Sequence, residues 1–291
     1  MTSSPVQDVR KYPKRKAAKW QKLNPLNYVA LAAMAFLSVF PFYWMFVVAS
    51  NGSEEISKIP PTLIPGTNFL KVMNDVYSVV PFNQALINTF VVGMVVAVAQ
   101  VFFSALAGFA FAKLNFRGRK FMILFVILTM MLPSQLGIIP LFKLITILNW
   151  YDTLLALIVP ALVTAFGVFW MRQIIDAQVP NELLEAASID GAGVLRVYWS
   201  VVLPIIRQSG FVLGLFSFLA TWNDFLWPGL VLSSPSNFTA QIAVSQLKAS
   251  YVLDYALNMG GAFMATAPLL LLFIFVGRRL VSGVMDGAVK G

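Results

Sequence analysis

Between Lys22 and Glu54 the chain carries no charged residue, and similar charge-free apolar runs recur to its end. A bilayer core takes a helix of about 20 apolar residues, and inside it every backbone polar group must be satisfied within the chain. The charge-free runs predict helices over residues 28–50, 85–112, 121–142, 153–171, 208–232 and 255–277. Pro41 lies inside the first, Pro133 and Pro140 interrupt the third, and Pro160 sits in the middle of the fourth. The runs are continuous rather than alternating, which excludes a transmembrane barrel. Only 11% of the 291 residues are charged, against about 25% in soluble domains, so a water-soluble globule is excluded as well. The fold class is all-α: a polytopic membrane protein with six transmembrane helices.

The chain contains neither Cys nor His. That removes disulfides, thiolate and imidazole metal sites, Ser-His and Cys-His nucleophile pairs and histidine-ligated haem. There is no Gly-x-x-x-x-Gly-Lys-Ser/Thr segment to cradle phosphates, so the chain does not hold nucleotide itself. A membrane-embedded enzyme would also lack its general acid and base, because Asp224 is the one acidic residue well within an expected span. The chain is read as a non-enzyme that binds no cofactor.

Basic residues set the orientation. Of the 21 Lys and Arg residues, all but Lys58, Lys71, Lys143 and Lys248 fall on one side of the six-span layout, which predicts that both termini are cytoplasmic. The net charge of +9 needs no nucleic acid partner, since the anionic inner leaflet attracts such residues. The first apolar run exceeds a signal-peptide core and has no clear small-residue cleavage site, so a retained helix is expected. The expected organisation is a basic tail over residues 1–26, a permeating domain over 27–280 and a C-terminal tail over 281–291. No internal repeat or low-complexity segment interrupts it. The outer segment 51–83 holds Pro60, Pro61, Pro65 and Pro81, and is either a solvated connector or a docking surface for an extracytoplasmic partner.

The longest cytoplasmic loop, residues 173–206, has a pattern of its own. Pro180 opens a helix, and Leu183, Leu184, Ala186, Ala187 and Ile189 give it an apolar face beside Glu182 and Glu185. Asp190-Gly191-Ala192-Gly193 breaks that helix, and a second stretch runs from Val194 to a stop at Leu203-Pro204. The spacing predicts two short helices forming a knob below the membrane. Amphipathicity alone also fits a helix pair lying in the headgroups. Interfacial helices, however, favour Lys and Arg on the polar face, whereas this one shows Glu182, Glu185 and Asp190. An acidic knob suits a protein cleft better than an anionic leaflet.

Glu185-Ala186-Ala187, then Asp190-Gly191-Ala192, and Val201-x-Leu203-Pro204 at their fixed spacing resemble the EAA loop of ATP-binding-cassette importer permeases. The family pattern has Ile at the position of Val201. Gly283, Gly287, Ala288, Val289, Lys290 and Gly291 are similar to the ending of MalG-like permease subunits of carbohydrate importers, as is Trp222-Asn223-Asp224-Phe225. The resemblance implies a subunit forming half of the translocation path of a binding-protein-dependent di- or oligosaccharide importer in a bacterial inner or plasma membrane. Its implied partners are a second, MalF-like permease, two cytoplasmic ATPase subunits that hold ATP and Mg, and an extracytoplasmic sugar-binding protein. Glu182, Glu185, Ala186, Ala187, Asp190, Gly191, Ala192, Leu203 and Pro204 become the implied ATPase-coupling residues. Gly287, Ala288, Val289, Lys290 and Gly291 become an implied second ATPase contact; the residues alone also fit a frayed end.

A carboxylate in mid-membrane costs about 2.5–3.5 kcal/mol or more, so Asp224 should face a cavity or a partner helix. One reading places Trp222, Asn223, Asp224 and Trp227 along the translocation path, with aromatic faces for sugar rings and polar groups for hydroxyls. The other has Asp224 stabilise a helix break before Pro228. An ion-coupled secondary transporter using Asp224 is the alternative function; it would call for inverted repeats and more intramembrane ionisable groups.

Overall fold

A computed structural model describes residues 25–53, 58–248 and 254–288, with side chains in the last segment described as far as Gly277. The basic N-terminal tail therefore lies outside the described residues. The described residues are mostly helical and contain no strand, with helices in the order α1 (Pro25–Ser50), α2 (Phe69–Val79), α3 (Phe82–Lys113), α4 (Arg119–Met131), α5 (Ile138–Ile147), α6 (Leu155–Ile158) and α7 (Ala165–Gln178). They continue as α8 (Asn181–Ile189), α9 (Val194–Val197), α10 (Leu203–Asn223), α11 (Leu226–Val231), α12 (Ala240–Leu247) and α13 (Tyr255–Ala288). The described residues divide into two compact units at Tyr43 and Trp44. What is described of the first is the leading part of α1, an apolar stretch with Leu26, Val29, Met34, Phe36 and Leu37 exposed.

Among the described residues, five helical stretches are long and apolar enough to cross a bilayer: Pro25–Ser50, Phe82–Lys113, Leu155–Gln178, Val194–Asn223 and Tyr255–Gly277. The expected third span is different. Helix α4 and the stretch Ser134–Ile147 meet at a bend of 97°, so this segment does not run straight through. Pro133 causes it: the ring pushes the preceding residue out of the helical region, and Leu132 is extended at ψ 130°. The expected fifth helix also needs correction at both ends. It begins at Val194, well before residue 208, and it stops at Asn223, with α11 a separate short helix. Pro228 sits in the first turn of α11, where a missing N–H is tolerated, so it starts a helix instead of interrupting one.

Within residues 44–291, α3 is the axis, and α7 and α10 pack along it. The α3–α7 crossing is close because Gly108 lacks a side chain: a Cβ there would sit 2.8 Å from the Arg172 nitrogen and 2.9 Å from Met171. Small residues serve this purpose where lipid gives helices no hydrophobic drive to associate. One end of α3 is buried in a cluster with Val76, Ile145, Ala156, Val231, Ala243 and Ala265. The other end is buried with Met171, Ile175, Val197, Tyr198, Val202 and Ile206.

Some polar groups inside this apolar body are paired, while others, such as the buried hydroxyls of Ser104 and Tyr198, make no hydrogen bond. The hydroxyl of Ser217 on α10 donates to Gln100 Oε1 at 2.6 Å, and Gln100 Nε2 donates to the carbonyl of Ala161 at 2.9 Å. That carbonyl lies just before the break at residues 162–164, so the α3 glutamine supplies what an unbroken helix would have given. The segment after residue 50 is not a bare connector either. Its α2 turns Val72 and Val76 inward and packs against α13.

Candidate functional site

The expected knob is present as an elbow. Glu182, Glu185, Ala186 and Ile189 on α8 are exposed, while Leu184, Ala187 and Ala192 pack against the cluster at that end of α3. The elbow's turn has a specific closure. Gly191 donates its N–H to the Ser188 carbonyl at 3.0 Å, and Ala192 donates to Ala187 at 2.9 Å. This paired bonding ends a helix through a left-handed residue, and Gly191 has φ +76°. No atom lies within 4 Å of a Cβ built there, so glycine is needed for its backbone angle and not for space. Lys113 Nζ donates to Asn181 Oδ1 at 2.9 Å and so fastens the end of α3 to the start of the elbow. Arg119 then bonds the Ala112 and Leu114 carbonyls that the end of α3 leaves open.

Leu203 and Pro204 do not belong to the tip. The expected stop there is absent: helix runs from Val194 through to Asn223, and the two residues lie within that rod, Leu203 half-buried and Pro204 exposed. Of the nine residues expected to couple, Glu182, Glu185, Ala186, Ala187, Asp190, Gly191 and Ala192 are gathered at the elbow, and these two stand apart from it. Gly287 and Ala288 close the backbone of α13, which stays helical past residue 280. Val289, Lys290 and Gly291 lie outside the described residues.

The four residues expected along a path are separated by their surroundings. Trp222 is buried against Ala97 and Phe218, and its Nε1 donates to the Ala265 carbonyl at 3.1 Å. Trp227 packs on the cluster that includes Ala265, with Nε1 on the Ala156 carbonyl at 2.9 Å. Asn223 is exposed and donates to Leu219, and Asp224 lies half-buried in the break between α10 and α11, accepting the Trp227 N–H at 3.4 Å. Asp224 is therefore outside the helix that was expected to contain it. An apolar cavity of about 530 Å³ lies between α3, α10 and α13, with Arg207 its one charged lining residue, so it offers little for sugar hydroxyls.

A second polar centre was not anticipated from the sequence. Asp152, at φ +56°, accepts the N–H groups of Ser233 and Ser234 at 2.9 and 3.0 Å, and the Ser234 hydroxyl as well. Its own N–H donates to Val231, and Asn237 donates to its carbonyl. Burial pushes this carboxyl up, but the Ser234 hydroxyl and the Ser234 and Ser233 amides outweigh it and hold it well below the usual carboxylate range. Asn88 on α3 adds bonds to the Ser236 and Phe238 carbonyls. The loop 231–239 is thereby stapled to the ends of two other elements. The available signal was a lone Asp beside a turn residue, Asn149-Trp150-Tyr151-Asp152. Among the described residues, no three His, Cys, Asp or Glu side chains come together to hold a metal ion.

The profile of the family described as "Binding-protein-dependent transport system inner membrane component" matches residues 100–282. The arabinooligosaccharides transport system permease protein AraQ of Halalkalibacterium halodurans is 32% identical, over 92% of this chain and 97% of that protein. The lactose transport system permease protein LacG of Rhizobium radiobacter is 31% identical, over 91% and 96%. The sn-glycerol-3-phosphate transport system permease protein UgpE of Yersinia enterocolitica is also 31% identical, over 91% and 96%. In fold, the chain matches one from the crystal structure of a bacterial ABC transporter involved in the import of the acidic polysaccharide alginate. The TM-score is 0.76, over 87% of this chain and 94% of that one, at 18% identity.

Proposed function

This chain belongs to the binding-protein-dependent transport system inner membrane components, and from that membership we propose that it forms half of the translocation path of an ATP-driven di- or oligosaccharide importer. It is a multi-pass membrane permease subunit and not an enzyme; membership implies an ATPase and a substrate-binding protein as partners. The finer composition is a second, MalF-like permease beside this one, two ATPase subunits holding ATP and Mg, and a sugar-binding protein outside the cell. Both termini then face the cytoplasm, as the basic residues favour. Sugar is the cargo read here because AraQ and LacG are named for arabinooligosaccharides and lactose, although UgpE, as similar as LacG, is named for sn-glycerol-3-phosphate.

The observation that supports ATP coupling is the elbow, an exposed acidic and apolar helix closed rigidly at Gly191 and fastened to α3 through Lys113. Glu182, Glu185, Ala186 and Asp190 would enter a groove on the ATPase, and the terminal residues Gly287 to Gly291 would make a second contact. Asn223 and Asp224 are the better path candidates of the four, since both indoles are already spent on carbonyls inside the chain. The test is uptake of labelled arabino- and malto-oligosaccharides into proteoliposomes holding the full complex and its binding protein. Uptake should require ATP and persist with protonophore and sodium ionophore present. Uptake driven by an ion gradient without ATP would restore the Asp224 alternative and overturn this reading.

A further inference from the structure

Proline at position 204 should end a helix, because it brings no N–H and its ring collides with the carbonyl four residues back, that of Ser200. Here the helix continues, and the turn before the proline has widened. Leu203 donates its N–H to the Tyr198 carbonyl, five residues back instead of four, over the segment Tyr198–Val202. A turn widened at this point is one way to relieve that collision.

Such a turn uses one residue more than an α-turn, so everything before it is rotated by about one residue's worth, ~100°, relative to an unbroken helix. The burial pattern bears on the slip at one position. Gly210, Ile206, Val202 and Tyr198 are buried at steps of four, as an unbroken helix would also have them. Val197 is buried beside Tyr198 while Trp199 is 52% exposed, the order that a one-residue slip gives, and Val194 and Leu195 are both exposed. Val197 and Tyr198 thereby join the cluster at the end of α3, and the elbow hangs from the rod with Leu184, Ala187 and Ala192 turned inward.

We propose that Pro204 is a positioning residue for coupling: it holds the wide turn, and the wide turn sets the azimuth at which the elbow shows Glu182, Glu185, Ala186 and Ile189 to its partner. This rests on the coupling reading above. In that role Pro204 never touches the ATPase; it aims the helix that does.

The test uses the full complex, purified through a tag on this chain. Three forms are compared: wild type, Pro204→Ala, and Pro204→Ala with Ser200 deleted. The deletion removes the extra residue, so an ordinary α-helix then carries the elbow at its original azimuth. A spin-label pair at Asn115→Cys and Ser188→Cys, in separate preparations, reads elbow position directly. Pro204→Ala should move the label distance and weaken ATPase retention by about tenfold. The double variant should return both to within about twofold of wild type. An unchanged distance in Pro204→Ala overturns the proposal, and so does a double variant that stays displaced. If Pro204→Ala fails to assemble, the double variant alone decides: wild-type distance and retention support the proposal, and their loss overturns it. A wild-type chain that retains no ATPase would remove the coupling reading, and the label distances would still decide on Pro204.

Discussion

The N–H of Ala192 reaches back to the carbonyl of Ala187 at 2.9 Å, across a glycine at φ +76°. This one bond turns the elbow and joins its two sides. A β-carbon in that region of backbone space costs about 1–2 kcal/mol. Gly191→Val should therefore uncouple transport while the chain still reaches the membrane, and Gly191→Asn should keep most activity, because a short polar side chain tolerates this conformation and a β-branched one does not. Oligosaccharide uptake per ATP hydrolysed in proteoliposomes checks both; normal uptake by Gly191→Val would count against a rigid elbow.

Ile189 is 86% exposed at the end of α8, a poor place for isoleucine unless a partner covers it. Burying such a side chain is worth about 1.5–3 kcal/mol, whereas a rim charge such as Glu185 is often worth under ~1 kcal/mol. Ile189→Ala should weaken ATPase retention more than Glu185→Ala does. Titrating purified ATPase against the two variants ranks them, and the reverse order would make the elbow's acid its principal anchor.

Gln100 and Ser217 bond each other inside the apolar body. Removing one partner strands the other at about 1–3 kcal/mol, while replacing both can be nearly neutral. Gln100→Leu and Ser217→Ala should each lower the unfolding temperature of the complex, and the double variant should lose less than the sum. An additive double variant would mean the bond contributes nothing.

The Asp152 carboxyl titrates below its ordinary value, so its hold on the loop is complete above the usual carboxylate pKa of about 3.9 and is lost only as pH falls through the depressed folded value. Amide exchange at Ser233 and Ser234 should be protected at pH 5 to 7 and in Asp152→Ala should rise at every pH. Wild-type exchange in that variant would show that the loop is held by Asn88 and Asn237 instead.

Much of this architecture was legible from charge alone. Charge-free gaps located the first, second, fourth and sixth spans closely, and the elbow was readable because Asp190-Gly191 so plainly breaks an amphipathic stretch. The misreadings have a shared origin in proline. Pro133 was visible as an interruption, but a 97° bend depends on where the following helix packs. Pro204 looked like a stop, because a widened turn leaves no composition signature, whereas the break before Pro228 was one of the two readings that Asp224 offered and is present. Gln100, Ser217 and Asn88 went unnoticed for another reason. They are uncharged, and their meaning lies in carbonyls far off in sequence.

One consequence follows from α3 taking part in both buried clusters. Its 32 residues make an unbroken shaft about 48 Å long. Leaning that shaft by ~10° about its midpoint carries the two ends roughly 4 Å in opposite directions. The packing around Val92 and the packing around Phe109 therefore work as the two pans of one balance, and neither can descend without lifting the other.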